Sequence, residues 1–461
     1  MLNRDVLASL TTLLGRSRVL TSLPQRERYS ADALSPSRAY RSAQLLNSTA
    51  DVVVRPKNTQ QVAEIVKLAV QHRIPIIPYG GGTGVMGGVV PLKGGIAIDL
   101  QGLNKVLNID PISLTATVES GVILADLAHV LEGQGLLLAH DPWSLPIATV
   151  GGAISTNGVG YRAAAYGPMG DHVLGLEVVL PDGELLTTRA VPKYSTGPNL
   201  NQLFIGSEGA FGIITKATIK ILRQPEERIF STFRFQKFDQ GFQAITELLA
   251  IGLVPSVLDL TEDFEGVHLY LIFEGYKEGV DAQRRRSKLV CEAAGGIDNG
   301  PTEATIYWDT RYRIAEGYRD EVASLTRRQR WKRHSRSFDY LHVALPLDKV
   351  PSYRKKCDAI FKKYDIRCSE YGIWARPELF SMLLLPGDVT KEEDMPKAVD
   401  MVLTLAQDMG GVMEYCHGVG IKLAHLLARE MDVSLDVLGN MKCSLDPHNI
   451  MNPGKLGLDK A

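Results

Sequence analysis

The sequence predicts an α+β protein of two main domains, and three observations carry that prediction. Between Asp51 and Gly84, short β-branched runs flank a helical repeat and end in a run of glycines. After a polar break at Gln224-Pro-Glu-Glu227, strand patterns alternate with helices in the manner of antiparallel sheets. The chain has 461 residues, about three times the ~150 expected of one domain.

The elements follow in order. Residues 1–50 are polar and helix-compatible. Asp51-Val-Val-Val54 reads as a strand stopped by Arg55-Pro56, and Asn58 caps a helix whose apolar positions are Val62, Ile65, Val66, Ala69 and Val70. Ile74–Pro78 is a second strand, entering Tyr79-Gly-Gly-Gly-Thr-Gly84. Strands are expected at Gly95–Leu100, Thr115–Glu119, Val173–Leu180 and Ile213–Leu222, with a helix at Leu124–Gln134. Beyond the break come strands at Phe230–Phe235, Ser256–Leu260 and His268–Glu274, and a helix at Gln240–Ile251. From Pro396 the pattern is helical until Asp446-Pro447. The resulting divisions are 1–45, 46–226, 227–410 and 411–461.

Composition excludes several classes of function. Lys+Arg total 51 against 52 Asp+Glu, a net charge of −1, which argues against a nucleic-acid binder. The five cysteines are widely spaced and form no C-x-x-C pair, as suits reduced thiols in a cytoplasmic protein. No apolar run approaches the ~18 residues that a spanning helix needs. Glycine is in excess, 43 residues in all, and the excess is concentrated between Gly80 and Gly212.

That excess carries the chemistry. Gly80-Gly-Gly-Thr-Gly84 is neither G-x-G-x-x-G nor a P-loop, but glycines let backbone N–H groups approach an anion closely. His140-Asp-Pro-Trp-Ser leads to Thr149-Val-Gly-Gly152 and on to Ser155-Thr-Asn-Gly158. Ser195-Thr-Gly-Pro198 precedes Ile205-Gly-Ser-Glu-Gly209 and Phe211-Gly-Ile-Ile-Thr215. In this order and spacing, from Asp51 to Pro225, the segments resemble the flavin domain of the vanillyl-alcohol oxidase/p-cresol methylhydroxylase (PCMH) family.

The resemblance implies FAD held non-covalently in a PCMH-type domain of two α+β subdomains, at 46–226. Pro78, Tyr79, Gly80, Gly81, Gly82, Thr83, Gly84 and Val85 would wrap the pyrophosphate. Pro142, Trp143, Ser144, Thr149, Gly151 and Gly152, with Ser155, Thr156, Asn157 and Gly158, would line the ribityl chain and isoalloxazine edge. Glu208, Gly209, Gly212, Ile213 and Ile214 would hold the adenosine side. Thr83 stands where covalently flavinylated relatives carry a His.

Gly410-Gly-Val-Met-Glu-Tyr-Cys-His-Gly-Val-Gly420 and Leu445–Lys455 resemble the closing motifs of the FAD-linked oxidase C-terminal (cap) domain, and Asn452 enters the cofactor set on that basis. This branch includes D-lactate dehydrogenases, glycolate oxidase subunits and alkyldihydroxyacetonephosphate synthase. Its H-G-x-G His falls on His417, a base for a substrate hydroxyl while hydride leaves for the flavin. Cys416, next to it on an extended segment, is expected to point away. Arg367–Phe380 lacks the paired His of the metal-dependent members, so no metal is expected. That stretch instead offers Tyr371 for proton transfer, Arg376 to clamp an anion, and Trp374 and Glu370 as pocket walls.

The expected reaction is FAD-dependent oxidation of a hydroxy acid or aromatic alcohol, with oxygen, a quinone or a redox protein as acceptor. Redox-neutral transfer and a flavin subunit without substrate chemistry are the alternatives. Arg327–Arg336, seven of whose ten residues are Arg, Lys or His, offers a peripheral membrane or partner contact, set against a solvated helix face. A homodimer is left open.

Overall fold

The computed structural model describes residues 2–333 and 338–458. His334, Ser335 and Arg336 of the basic run, and positions 459–461 of the tail, lie outside the described residues.

Strands before Gln224 form three sheets. Val52–Val54, Ile96–Asp99 and Ile76–Tyr79 pair in parallel, with Val19–Leu20 antiparallel at one edge. The helix Thr59–His72 connects the first strand to the third and buries Val62, Ile65, Val66 and Ala69, the face its spacing predicts. Strands this short and buried on both sides read as continuous β-branched runs, as Val52-Val-Val54 does. The second sheet is antiparallel, in the order Val106–Asp110, Thr115–Glu119, Ile213–Lys220, Val173–Val179, Leu185–Thr187. The third is a two-stranded ribbon of Leu136–Leu137 with Leu222–Arg223.

The strands after Gln224 form one seven-stranded antiparallel sheet. Its order is Ile297–Gly300, Glu227–Phe235, Gly266–Gly275, Val257–Asp263, Ile366–Trp374, Leu379–Pro386, Asp339–Ala344. One face packs apolar side chains such as Leu260, Ile373, Phe380 and Met382 into the largest hydrophobic core, together with the helices Phe238–Ala250, Val350–Lys363 and Asp394–Asp408. The other face is polar and aromatic. Leucine-rich alternation in these strands reports the first face, and the residues between report the second.

The C-terminal segment departs from its predicted continuous helix. The helices Asp394–Asp408, Ala424–Met431 and Val433–Leu445 are separated by a non-helical stretch around 410–423. Gly418 and Gly420 take φ of +82° and +52° there, a left-handed backbone that interrupts helical hydrogen bonding. The tail then returns to the first sheet, where the Ile76 N–H donates to the Ile450 carbonyl at 2.7 Å and the Asn452 N–H to the Ile76 carbonyl at 2.8 Å. Among the described residues no helix is long and apolar enough to cross a membrane.

Candidate functional site

A cleft opens where glycines let two backbone segments meet. A Cβ on Gly81 would sit 2.3 Å from the Ile147 carbonyl oxygen, and one on Gly80 would sit 2.5 Å from Thr149 Oγ1. Any larger residue would push the loop off the turn that precedes the helix Val150–Thr156. Thr149 caps that helix, its hydroxyl accepting from the Gly152 N–H at 3.2 Å.

All residues expected to touch the cofactor border this cleft except Val85, Asn157 and Asn452. Val85 is buried in the hydrophobic core instead. Asn157 ends its helix with φ of +49° and accepts from the Gly170 N–H at 2.9 Å through Oδ1. Asn452 ties the tail down, its amide donating to the carbonyls of Glu208 (2.6 Å) and Gly88 (2.9 Å). All three lie in motifs whose neighbours reach the cleft, so sequence adjacency overstated their reach.

Asp32, Ser120, His140 and Cys416 border the cleft without having been predicted. Asp32 accepts from the N–H groups of Leu34 (3.0 Å) and Gly87 (2.8 Å), and burial pushes its carboxyl up to about 6. No Lys or Arg is among the described residues that border the cleft, so backbone N–H groups and small hydroxyls would meet the pyrophosphate of FAD. The residues fit FAD. The glycine cradle leaves room that a Cβ would fill, and the buried Ser120 hydroxyl has no partner among the described residues.

His417 borders the same cleft from the C-terminal turn. Its Nδ1 lies 3.5 Å from Glu414 Oε1, which also accepts the N–H groups of Cys416 (2.7 Å) and His417 (3.0 Å). The Glu414 side chain is only 4 % exposed. Burial alone would lower the imidazole, but the Cys416 sulfur and the Glu414 carboxylate outweigh it and push His417 up to about 10. Cys416 borders the cleft beside His417, contrary to the expectation that it points away. The segment is a turn, and strand alternation does not apply to it.

A second imidazole stands beside the first. His342 is 5 % exposed on the strand Asp339–Ala344, and its ring meets His417 edge-on at 4.5 Å between centroids. It also meets the rings of Tyr340 at 4.5 Å and Tyr415 at 5.6 Å. Ligand-type atoms of His342, Glu414 and His417 lie within 4.8 Å of one another, a spacing that a divalent cation can bridge with small adjustments. Neither His342 nor Glu414 was read from the sequence. A lone His in a short strand carries no signal, whereas Glu414, three residues before His417 in a glycine-flanked segment, was open to notice.

Pairing register puts Tyr340, His342, Glu370, Trp374 and Asp259 on the polar face of the large sheet. The Tyr340 hydroxyl donates to Glu370 at 2.6 Å and the Tyr307 hydroxyl to Asp259 at 2.8 Å. Burial raises both carboxyls, Asp259 to about 6. Tyr371 belongs to the opposite face, which corrects its assignment to proton transfer. Its ring stacks on Phe380, and its hydroxyl donates to Asp358 at 2.5 Å on the helix Val350–Lys363. Arg376 is displaced as well. Its side chain is 52 % exposed, meets Glu378 at 3.3 Å, and borders a second hollow, shared with Tyr415, instead of the cleft.

The basic run is also corrected in part. Arg327 and Arg330 are buried, Arg327 donating to the carbonyls of Asn47 and Ser48, and Arg330 to those of Ala31, Ala323 and Leu325. Arg328 and Arg333 remain exposed.

A glycine-cradled cleft with a half-buried His–Glu pair on its wall is the framework of a flavoprotein that works on a substrate beside its cofactor. Residues 50–189 match the FAD binding domain, and residues 224–456 match the C-terminal domain of FAD linked oxidases. The chain belongs to this family and is an FAD-dependent oxidoreductase. It is 29% identical to the glycolate oxidase subunit GlcD of Bacillus subtilis, over 99% of this chain and 97% of that one. It is 30% identical to D-lactate dehydrogenase of Anaerostipes hadrus, over 88% and 89% respectively. In fold it resembles alkyldihydroxyacetonephosphate synthase (TM-score 0.80, 20% identity, 99% of this chain and 86% of that one). It also resembles p-cresol methylhydroxylase with substrate bound (TM-score 0.77, 18% identity, 99% and 97%).

Proposed function

We propose that the protein oxidises a small 2-hydroxy acid at the C–H beside its hydroxyl, with His417 as the base. The observation that carries this reading is the placement of His417, paired to Glu414, on the wall of the FAD cleft. Bound FAD would supply the hydride acceptor. His417 takes the hydroxyl proton as the C–H bond breaks, which leaves a 2-oxo acid. Glu414 holds the imidazole in place and offsets the positive charge that it gains. The names of the curated relatives, a glycolate oxidase subunit and D-lactate dehydrogenases, support a hydroxy acid over an aromatic alcohol.

His417 is protonated at neutral pH in the cofactor-free protein, because its neighbours raise it so far. The base form therefore gains ground toward alkaline pH, above the ordinary imidazole range. No metal takes part in this reading, and chelation should leave the rate of flavin reduction unchanged. A stoichiometric cation on His342, Glu414 and His417 would instead remove His417 as the base.

The test is an anaerobic screen of D- and L-2-hydroxy acids and benzylic alcohols against the FAD-loaded protein. A hydroxy acid should bleach the flavin at a rate that saturates with concentration. Bleaching by benzylic alcohols alone would change the substrate class, and no bleaching by any donor would favour an electron-transfer subunit. A cytoplasmic location, and oxygen, a quinone or a redox protein as acceptor, complete the proposal.

A further inference from the structure

We propose that His140 is a direct contact of the bound FAD, donating or accepting a hydrogen bond through a ring nitrogen that the protein leaves unpartnered. His140 is 1 % exposed, yet neither Nδ1 nor Nε2 has a hydrogen-bond partner among the described residues. A buried imidazole without partners carries the full desolvation cost of its unsatisfied groups, so such rings are rare in settled cores. This one borders the FAD cleft. Its Cε1 would lie 3.8 Å from a Cβ on Gly158, and Val159 and His417 border the same cleft. Its near aromatic neighbour, His172, sits 6.4 Å away between centroids and is itself 4 % exposed with Nε2 unpartnered.

The ring is neutral. Burial, and next to it the charge that His172 would carry, hold His140 down at about 3. A neutral imidazole carries one donor and one acceptor, so it can serve a carbonyl, an amide or a hydroxyl of the cofactor without adding charge to the cleft. An obligatory polar contact explains why a position that could hold Phe or Leu holds a His with no partner of its own.

The test uses apoprotein titrated with FAD, with flavin fluorescence and the visible spectrum as readouts. His140→Phe keeps the ring and removes the polar atoms, and His140→Gln keeps a donor and an acceptor. His140→Phe should weaken FAD binding about 5- to 30-fold, the worth of one or two hydrogen bonds, while the apoprotein melts no lower than wild type. His140→Gln should recover part of that affinity, and it serves alone if His140→Phe does not fold. His172→Phe should leave FAD affinity within twofold. Wild-type affinity and spectrum in His140→Phe would overturn the proposal, and so would an equal loss in His172→Phe, which would make the effect one of packing.

Discussion

The carboxylate of Glu208 accepts the N–H of Gly420 at 3.0 Å through each of its oxygens, across 212 residues of sequence. Its Oε1 also accepts the Val419 N–H at 2.6 Å. One side chain on the cleft wall thus fixes the turn that carries His417. Glu208→Ala should cost about 1–3 kcal/mol for each N–H left buried without an acceptor. Glu208→Gln keeps one acceptor oxygen and should cost less. Melting of the apoproteins ranks them, and an unchanged Glu208→Ala would show that the turn holds itself.

His417→Ala should retain FAD and slow flavin reduction by roughly 10²–10⁴, the worth of a positioned base. Tyr371→Phe should leave that rate alone, since its hydroxyl is spent on Asp358. Stopped-flow reduction under anaerobic conditions compares the two. A slow Tyr371→Phe with a normal His417→Ala would reverse the roles.

The pH dependence follows from the raised imidazole. A group whose pKa is higher in the folded state stabilises fully below its unfolded value and stops doing so above its folded one. The His417–Glu414 pair should therefore stabilise the apoprotein below pH about 6.5, lose that contribution as pH rises, and give none above about 10. Flavin reduction should climb over the same interval as the base form grows. Glu414→Gln removes a carboxylate that raises His417 and should move the climb toward neutral pH. A profile identical to wild type would show that Glu414 does not govern His417.

Arg330→Met should destabilise the protein by about 1.5–3 kcal/mol, because the guanidinium serves three carbonyls in a buried site. Arg328→Ala, on the exposed side, should change stability by less than about 0.5 kcal/mol. Urea melts check both. Sedimentation with anionic vesicles shows whether the exposed members of the run bind membranes at all.

The glycine segments were legible because their constraint is local: a close backbone approach or a positive φ restricts the residue at that position. The apolar periodicity of Thr59–His72 was legible for the same kind of reason, a repeat that one helix alone satisfies. Tyr371 was not. A register irregularity between Cys368 and Glu370 intervenes, and only pairing with Leu379–Pro386 decides which face each residue joins.

By itself the sequence determined that a glycine-cradled FAD cleft would form, and that a His in a glycine-flanked turn would be a candidate for its chemistry. The tertiary structure decided which charges stand near that His and which are used up elsewhere. Glu414 and His342 reach His417, whereas Arg327 and Arg330, two members of an apparently free basic run, turn inward to backbone carbonyls near Ala31 and Asn47. The physical reason is that side-chain partnership depends on sheet register and on packing between segments up to some three hundred residues apart. No local pattern encodes either.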